Sequence, residues 1–176
     1  MKIYMARHGQ TQRNAENKIC SITDLPLTET GLQQAQTLAD NARDKDIGLI
    51  VVSPMTRARQ TAQAVADRYN IPVVVDERLI EMNAGIYEGE DRGHPGFLAG
   101  KRRFCAKHPE GESMFQVAQR VYNVLDDVIK NHSDKNVLIV CHGGICRMAR
   151  TYFMDMENED FASYSPPNAS MVEYEI

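Results

Sequence analysis

Three short apolar runs in this chain end in side chains able to hold and attack a phosphoryl group. "KIYMA" passes into Arg7-His8-Gly9, "IGLIVV" into Ser53-Pro54 with Arg57 in the helical turn that follows, and "NVLIVC" into His142-Gly143-Gly144. If the runs are neighbouring parallel strands, these residues meet at their carboxyl ends, where open parallel sheets bind ligands. Guanidinium forks match phosphoryl oxygens bidentately. Helices opening near Pro54 and Gly144 would add N–H donors and a favourable dipole, and the paired glycines let backbone come close to an oxyanion. A neutral imidazole can attack phosphorus, and arginines beside it lower its pKa, so the lone pair of His8 is free at neutral pH. Phosphoryl transfer needs mainly positioning and charge stabilisation, so Arg7, Arg57 and His142 can hold the oxygens without a metal ion. A leaving alkoxide also needs a proton. Glu81, in "ERLIEMNAGIYEG", is the first candidate because a carboxyl facing a dianionic phosphate has its protonated form favoured; Glu88 is its rival.

Taken singly, each of these residues has a plainer reading. Arg7 and His8 would be a solvated loop pair, Arg57 an exposed helix cation like Arg59, Glu81 a surface carboxylate and His142 a helix cap. His94, His108 and His132 are expected at the surface. "GKRRF", with Lys101, Arg102 and Arg103, reads first as a solvated charge run and second as a contact for another acidic group on a substrate; Arg13 could serve similarly. Met114, Phe115 and the region from Met148 to Met156 read as packing residues.

The elements that must position the chemistry alternate between β-rich runs and helical periods, the pattern of an α/β domain with a largely parallel sheet. "KIYMA", "IGLIVV", "IPVVV", "NVLIVC" and "SMVEYEI" read as strands. "LTETGLQQAQTLADNA" places Leu32, Ala35, Ala39 and Ala42 on one helix face, with Thr28 or Thr30 as the cap. In "SPMTRARQTAQAVADRY", Ser53 is a natural N-cap and Pro54 suits the first helical position. Ser113 and Gln116 have capping-box spacing ahead of a stripe of Val117, Val121, Val124, Leu125 and Val128. "GGICRMARTYF" predicts a helix with Ile145, Met148, Ala149 and Tyr152 inward. The stretch from Glu77 to Glu112 is irregular, with one short helix expected around Phe97 to Lys107.

A chain of 176 residues fits one domain, spanning 1–176, with a variable substrate-capping region at about 83–111. Apolar residues make up 43% and charged residues 25%, which excludes disorder; a net charge of −4 offers no general attraction for nucleic acid or an anionic membrane, so a bound anion must meet a local cationic cluster. The apolar runs are too short to span a bilayer, and a cytoplasmic location is expected. Cys20, Cys105, Cys141 and Cys146 fit no zinc spacing and read as reduced thiols.

In order along the chain, "ARHGQT" with Asn14, "LTETGLQQA", "SPMTRARQTA", "LIEMNAGIYEG", "HPEGES", "VLIVCHGG" and "NAS" resemble the blocks of the histidine phosphatase superfamily, which includes cofactor-dependent phosphoglycerate mutases and many small-molecule phosphatases. The resemblance implies a phosphoglycerate mutase-like, three-layer α/β sandwich with a mostly parallel sheet and helices on both faces. It implies a phosphohistidine on His8, phosphoryl binding by Arg7, Arg57, His142 and Gly143, an acid role for Glu81, and Asn14 beside the phosphate. Gln10 and Thr11 match the motif and, with Lys101 and Arg102, are candidates for substrate contact. Tyr87 stands where relatives often have tryptophan, and the chain is shorter than the mutases, whose added segments hold a bisphosphate. The implied activity is therefore a metal-independent phosphoric monoester hydrolase of histidine acid phosphatase type, needing no cofactor and acting on a small phosphorylated metabolite. A mutase-type phosphotransferase and a silent phosphate-binding module are the alternatives, and a homodimer is left open.

Overall fold

The computed structural model describes residues 1–176. Its sheet is built from β1 (Lys2–Arg7), β2 (Ile47–Val52), β3 (Val73–Val75), β4 (Asn136–Cys141) and β5 (Met171–Glu175), in the order β3-β2-β4-β1-β5. All neighbours are parallel except the β1–β5 pair, so the sheet is mixed with one antiparallel edge. Register decides where the chemistry falls. Arg7 pairs with Cys141 and Val52 with Val140, so the residues leaving β1, β2 and β4 emerge side by side. The ladder runs slightly past the strands: His8 N–H donates to Cys141 O at 2.9 Å and Ser53 N–H to Val140 O at 3.1 Å.

Alternation along the central strands divides the core into two layers, as the period-2 geometry of a sheet covered on both faces requires. Ile3, Met5, Leu49, Val51, Val137, Ile139 and Cys141 face one apolar cluster, while Tyr4, Ala6, Ile50, Val52, Leu138 and Val140 face the other. The short α1 (Gln12–Ala15) lies in the loop after β1. Then α2 (Glu29–Asn41) and α3 (Thr56–Tyr69) cover the second face, and α5 (Met114–Asn131) and α6 (Gly143–Phe153) cover the first. Between them lies α4 (Pro95–Gly100), and α7 (Asn158–Ser163) precedes β5. No helix is long and apolar enough to cross a membrane.

The helix signals are realised with instructive exceptions. Ser113 and Gln116 form the capping box of α5, and all five stripe residues from Val117 to Val128 are buried. Each such side chain contributes roughly 1.5–3 kcal/mol on full burial. Thr28 caps α2, but Leu32 is 48% exposed and Leu38, fully buried, takes the inward place beside Ala35 and Ala39. The loop after β1 packs closely on the start of α2: a Cβ on Gly31 would lie 2.2 Å from Gln10 O, so backbone packs directly on backbone where a side chain would otherwise stand. Ser53 does not cap α3. The N-cap is Met55, without a side-chain hydrogen bond, and Asp24 serves instead by accepting from Thr56 N–H at 2.8 Å and from its hydroxyl at 2.7 Å. Phe115 is 60% exposed and is not core.

In the irregular segment the helix ends at Gly100 instead of continuing to Lys107, because the chain turns back there and brings His108 onto Gly100. A Cβ at that glycine would lie 2.2 Å from His108 Cε1. His108 is thereby 3% exposed rather than on the surface, stacked on Phe97 with ring centroids 5.4 Å apart and edge-on to Tyr87 at 5.5 Å. The four cysteines are free thiols, with Cys141 and Cys146 sulfurs 3.5 Å apart.

Candidate active site

At the carboxyl end of β1, Arg7 and His8 open into a cleft of about 580 Å³, its mouth included. Asn14, Glu81, Gly143 and Gly144 share its wall. His8 is 2% exposed, and its Nδ1 lies 2.6 Å from Gly9 O. A carbonyl only accepts, so Nδ1 carries the proton and the Nε2 lone pair is left free. Burial, then the charges of Arg57 and Arg7, hold His8 well below its ordinary pKa of 6.5. The ring is thus neutral and in the tautomer a nucleophile requires.

His142, the first residue beyond β4, packs edge-on to His8 with centroids 5.1 Å apart. Its Nδ1 accepts from Arg57 Nε at 3.2 Å, so its proton sits on Nε2 and is donated to Ser53 Oγ at 2.7 Å. Burial, followed by the charge of Arg57, pushes His142 well below 6.5 too. This bond is the physical reason Ser53 is lost to helix capping.

Arg57 and His142 are both fully buried and stand one layer behind His8, not on the cleft wall where direct phosphoryl contacts were expected. Besides His142, the Arg57 guanidinium donates to Thr23 O at 2.9 Å and Ser21 O at 2.7 Å. Arg7 is different. Its Nη1 donates to Pro166 O at 2.7 Å, but its buried Nε has no acceptor in the protein. Burial, and then Arg92, push its pKa down to about 10. An N–H without an acceptor, on a residue that lines the same cleft as a free imidazole nitrogen, suits an oxyanion.

Glu81 reaches the same wall. Its Oε2 accepts from Gly144 N–H at 3.0 Å and its Oε1 from Met82 N–H at 2.8 Å. Only glycine permits this approach, since a Cβ at position 144 would fall 2.6 Å from Glu81 Oε1. Gly143, first residue of α6, presents an N–H with no intrahelical acceptor. The rival carboxylate, Glu88, is committed elsewhere: it pairs with Arg13 and accepts from Ser21 N–H at 3.1 Å and Ile22 N–H at 3.2 Å. That contact also removes Arg13 from substrate binding.

Asn14 is held in the wall by Asn168, whose Nδ2 donates to Asn14 Oδ1 at 3.2 Å and to His8 O at 3.0 Å. Gln10 and Thr11 do not reach the cleft. The Gln10 side chain accepts from Thr28 Oγ1 at 2.9 Å, and fully buried Thr11 caps α1. Of the basic run, Lys101 lines the cleft while Arg102 turns outward to pair with Glu159 at 2.6 Å.

Four participants were not singled out from sequence. Its position ahead of α3 reads Ser53 as a helix cap. Thr61 accepts from Gly9 N–H at 3.0 Å and donates to Arg57 O at 2.7 Å, tying the loop after β1 to α3. Arg92 and Arg147 line the cleft. Arg92 lies in the irregular segment, where no periodicity guides a reading, and an arginine in a short amphipathic helix reads as solvated until the fold buries it.

The depressed histidines set a pH dependence of stability. His8, His142 and His108 all have folded-state pKa values below the unfolded value near 6.5, in each case first through burial. The unfolded chain therefore binds more protons on acidification. The stability of the neutral rings is fully present above about pH 6.5 and is lost as pH falls toward the folded-state values, by up to about 1.4 kcal/mol per pH unit for each ring. Denaturant midpoints should drop steadily from pH 7 to pH 5, and His108→Leu should make the decline shallower. A flat profile would refute this account.

Comparison with known proteins follows the same outline. Residues 3–176 match the model of the histidine phosphatase superfamily, branch 1. The probable phosphoglycerate mutase GpmB of Yersinia pestis (strain Pestoides F) is 34% identical over 152 residues, covering 81% of this chain and 70% of that protein. Bacillus stearothermophilus YhfR superposes with a TM-score of 0.87 at 30% identity, covering 99% of this chain and 91% of YhfR. The mycobacterial glucosyl-3-phosphoglycerate phosphatase Rv2419c, in complex with VO3, gives a TM-score of 0.87 at 27% identity over 98% of this chain and 91% of its own. With the sheet order, the paired histidines and a match over nearly the whole length, the chain belongs to the histidine phosphatase superfamily, branch 1.

Proposed function

We propose that this protein is a phosphomonoesterase that hydrolyses a small phosphorylated metabolite through a phosphohistidine on His8, without a metal ion or other cofactor. The observation that carries the reading is the state of His8: buried, uncharged, its Nδ1 proton held by Gly9 O and its Nε2 free in a cleft that Arg7, with its unpaired Nε, also lines.

In the first step the Nε2 lone pair forms a bond to phosphorus as the bond to the ester oxygen breaks. The Glu81 carboxyl gives its proton to the departing oxygen, releasing an alcohol. In the second, the Glu81 carboxylate takes a proton from water, the water oxygen bonds to phosphorus, and the N–P bond breaks to regenerate neutral His8 and inorganic phosphate. Arg7, the Gly143 N–H and Asn14 receive the oxygens at the wall. Arg57 and His142 act from behind, supplying charge and fixing the ring that faces His8. Water as acceptor agrees with the phosphatase among the similar structures, while the GpmB similarity makes phosphate transfer within a sugar acid the reading to test against.

The experiment is a panel of phosphorylated metabolites incubated with the chain and a chelator. Release of inorganic phosphate at a rate the chelator does not change is expected. Transfer requiring a bisphosphate primer would mark a mutase, and tight phosphate binding with no turnover of any panel member would mark a binding module.

A further inference from the structure

We propose that Arg120 and Glu112 are positioning residues for the proton donor: together they grip the backbone on both sides of Glu81 and fix where its carboxyl stands in the cleft. What that carboxyl does once in place rests on the phosphatase reading.

Glu81 has little of its own to hold it. Residues 80–84 lie in neither helix nor strand, and the main-chain N–H and C=O of Glu81 make no hydrogen bond within the protein. A group that must deliver a proton at one point needs its backbone fixed from outside. The support comes from α5. Arg120 donates from Nε and Nη2 to Glu112 Oε1 and Oε2, each at 3.0 Å, a bidentate fork that sets the plane of the guanidinium. That plane aims Nη1 at two main-chain carbonyls, Arg78 O at 2.5 Å and Ile80 O at 2.7 Å. Ile80 immediately precedes Glu81.

Glu112 closes the other side. Its Oε2 also accepts from Asn83 N–H at 2.8 Å, and its own N–H donates to Asn83 O at 3.0 Å. One ion pair therefore holds the peptide groups that flank Glu81 and Met82, Ile80 O ahead of them and Asn83 N–H behind. The pair is sheltered, its side chains 16% and 24% exposed, so solvent screens it less than a pair on the open surface. The block "HPEGES" thus has a second task besides starting a helix. Ser113 caps α5 directly after Glu112, which sets Glu112 at the head of the helix and Arg120 about two turns along it.

Neither Glu112 nor Arg120 lines the cleft, so neither touches substrate and both act through Glu81. The end of the chain of contacts is the carboxyl itself, whose Oε2 accepts from Gly144 N–H at 3.0 Å. Gly144 is the second residue of α6 and has no intrahelical acceptor, so that carboxylate is what shields its amide from water. Lysine at position 120 would be a poor substitute, because a point ammonium cannot face a carboxylate with one edge and two carbonyls with another.

The test compares Arg120→Met and Glu112→Gln, both close in size to the residues they replace, with the wild-type chain in two readouts. The first is the turnover of an alkyl phosphate from the metabolite panel divided by that of p-nitrophenyl phosphate. Each substitution should lower this ratio about tenfold or more, and neither should lower it further in a Glu81→Gln background. Arg120→Lys should restore only part of it. Because the ratio is internal to each variant, a general loss of folded protein does not mimic the effect. The second readout needs no turnover. Hydrogen exchange of the Gly144 amide, followed by nuclear magnetic resonance, should quicken about tenfold or more in both variants while amides in the middle of α6 keep their rates. Unchanged exchange at Gly144, a ratio that falls further when Glu81 is already glutamine, or equal losses on both phosphates where Glu81→Gln is selective, overturns the inference. If Gly144 exchange quickens but Glu81→Gln is itself unselective, or no phosphate is hydrolysed at all, the phosphatase reading of Glu81 fails and the clamp stands.

Discussion

His8→Ala should eliminate the phosphoenzyme and lower turnover of every phosphomonoester, activated or not, on the order of 10⁵-fold. The substitution removes the only cleft-lining imidazole whose Nε2 is free, and no neighbour can replace it. His142 has both ring nitrogens engaged, Nδ1 by Arg57 and Nε2 by Ser53. Rapid quench with labelled substrate separates the two histidines. His142→Ala should still label, more slowly, because the residue orients and polarises without bonding to phosphorus. His8→Asn, closer in size and polar, guards against loss of the fold in the alanine variant, and far-ultraviolet circular dichroism checks both. Persistent labelling without His8 would move the nucleophile elsewhere and end the mechanism proposed above.

Glu81→Gln should discriminate between leaving groups. An alkyl phosphate releases a strongly basic alkoxide that must be protonated as it departs, so its turnover should fall about 10²–10⁴-fold. p-Nitrophenolate is stable enough to leave unprotonated, and its release should fall less than about tenfold. Gly144→Ala should reproduce the pattern in milder form. The added methyl meets the far end of the Glu81 side chain, 2.6 Å from Oε1, so the carboxylate is displaced while the backbone stays in place. Equal losses on both substrates would show that Glu81 positions the phosphate instead of delivering a proton.

The site was unevenly legible in the sequence, and the division follows the range of the forces involved. Apolar runs for β1, β2 and β4 and the stripe of α5 are set by local periodicity, so they can be read residue by residue, as can the Ser113–Gln116 capping box. Once those strands are parallel neighbours, the meeting of Arg7, His8, Arg57 and His142 follows from what lies at their ends. A stripe of small residues is less binding. Ala35 and Ala39 are compatible with either Leu32 or Leu38 facing inward, and the fold buries Leu38.

The chain alone therefore determined the class of fold and the gathering of Arg7, His8, Arg57 and His142 around the ends of the central strands, because these depend on residue type and on the order of strands and helices. Tertiary structure decided which side chains are partners: Ser53 with His142 and not its own helix, Glu81 and not Glu88 at the cleft, Lys101 inward and Arg102 outward, His108 buried, Arg147 in the wall. The physical reason is that two neighbouring residues of the same chemistry have the same local energies. Only hydrogen bonds, burial and charges contributed from distant segments, here the turn at Gly100 and the register of β1, β2 and β4, give them different surroundings.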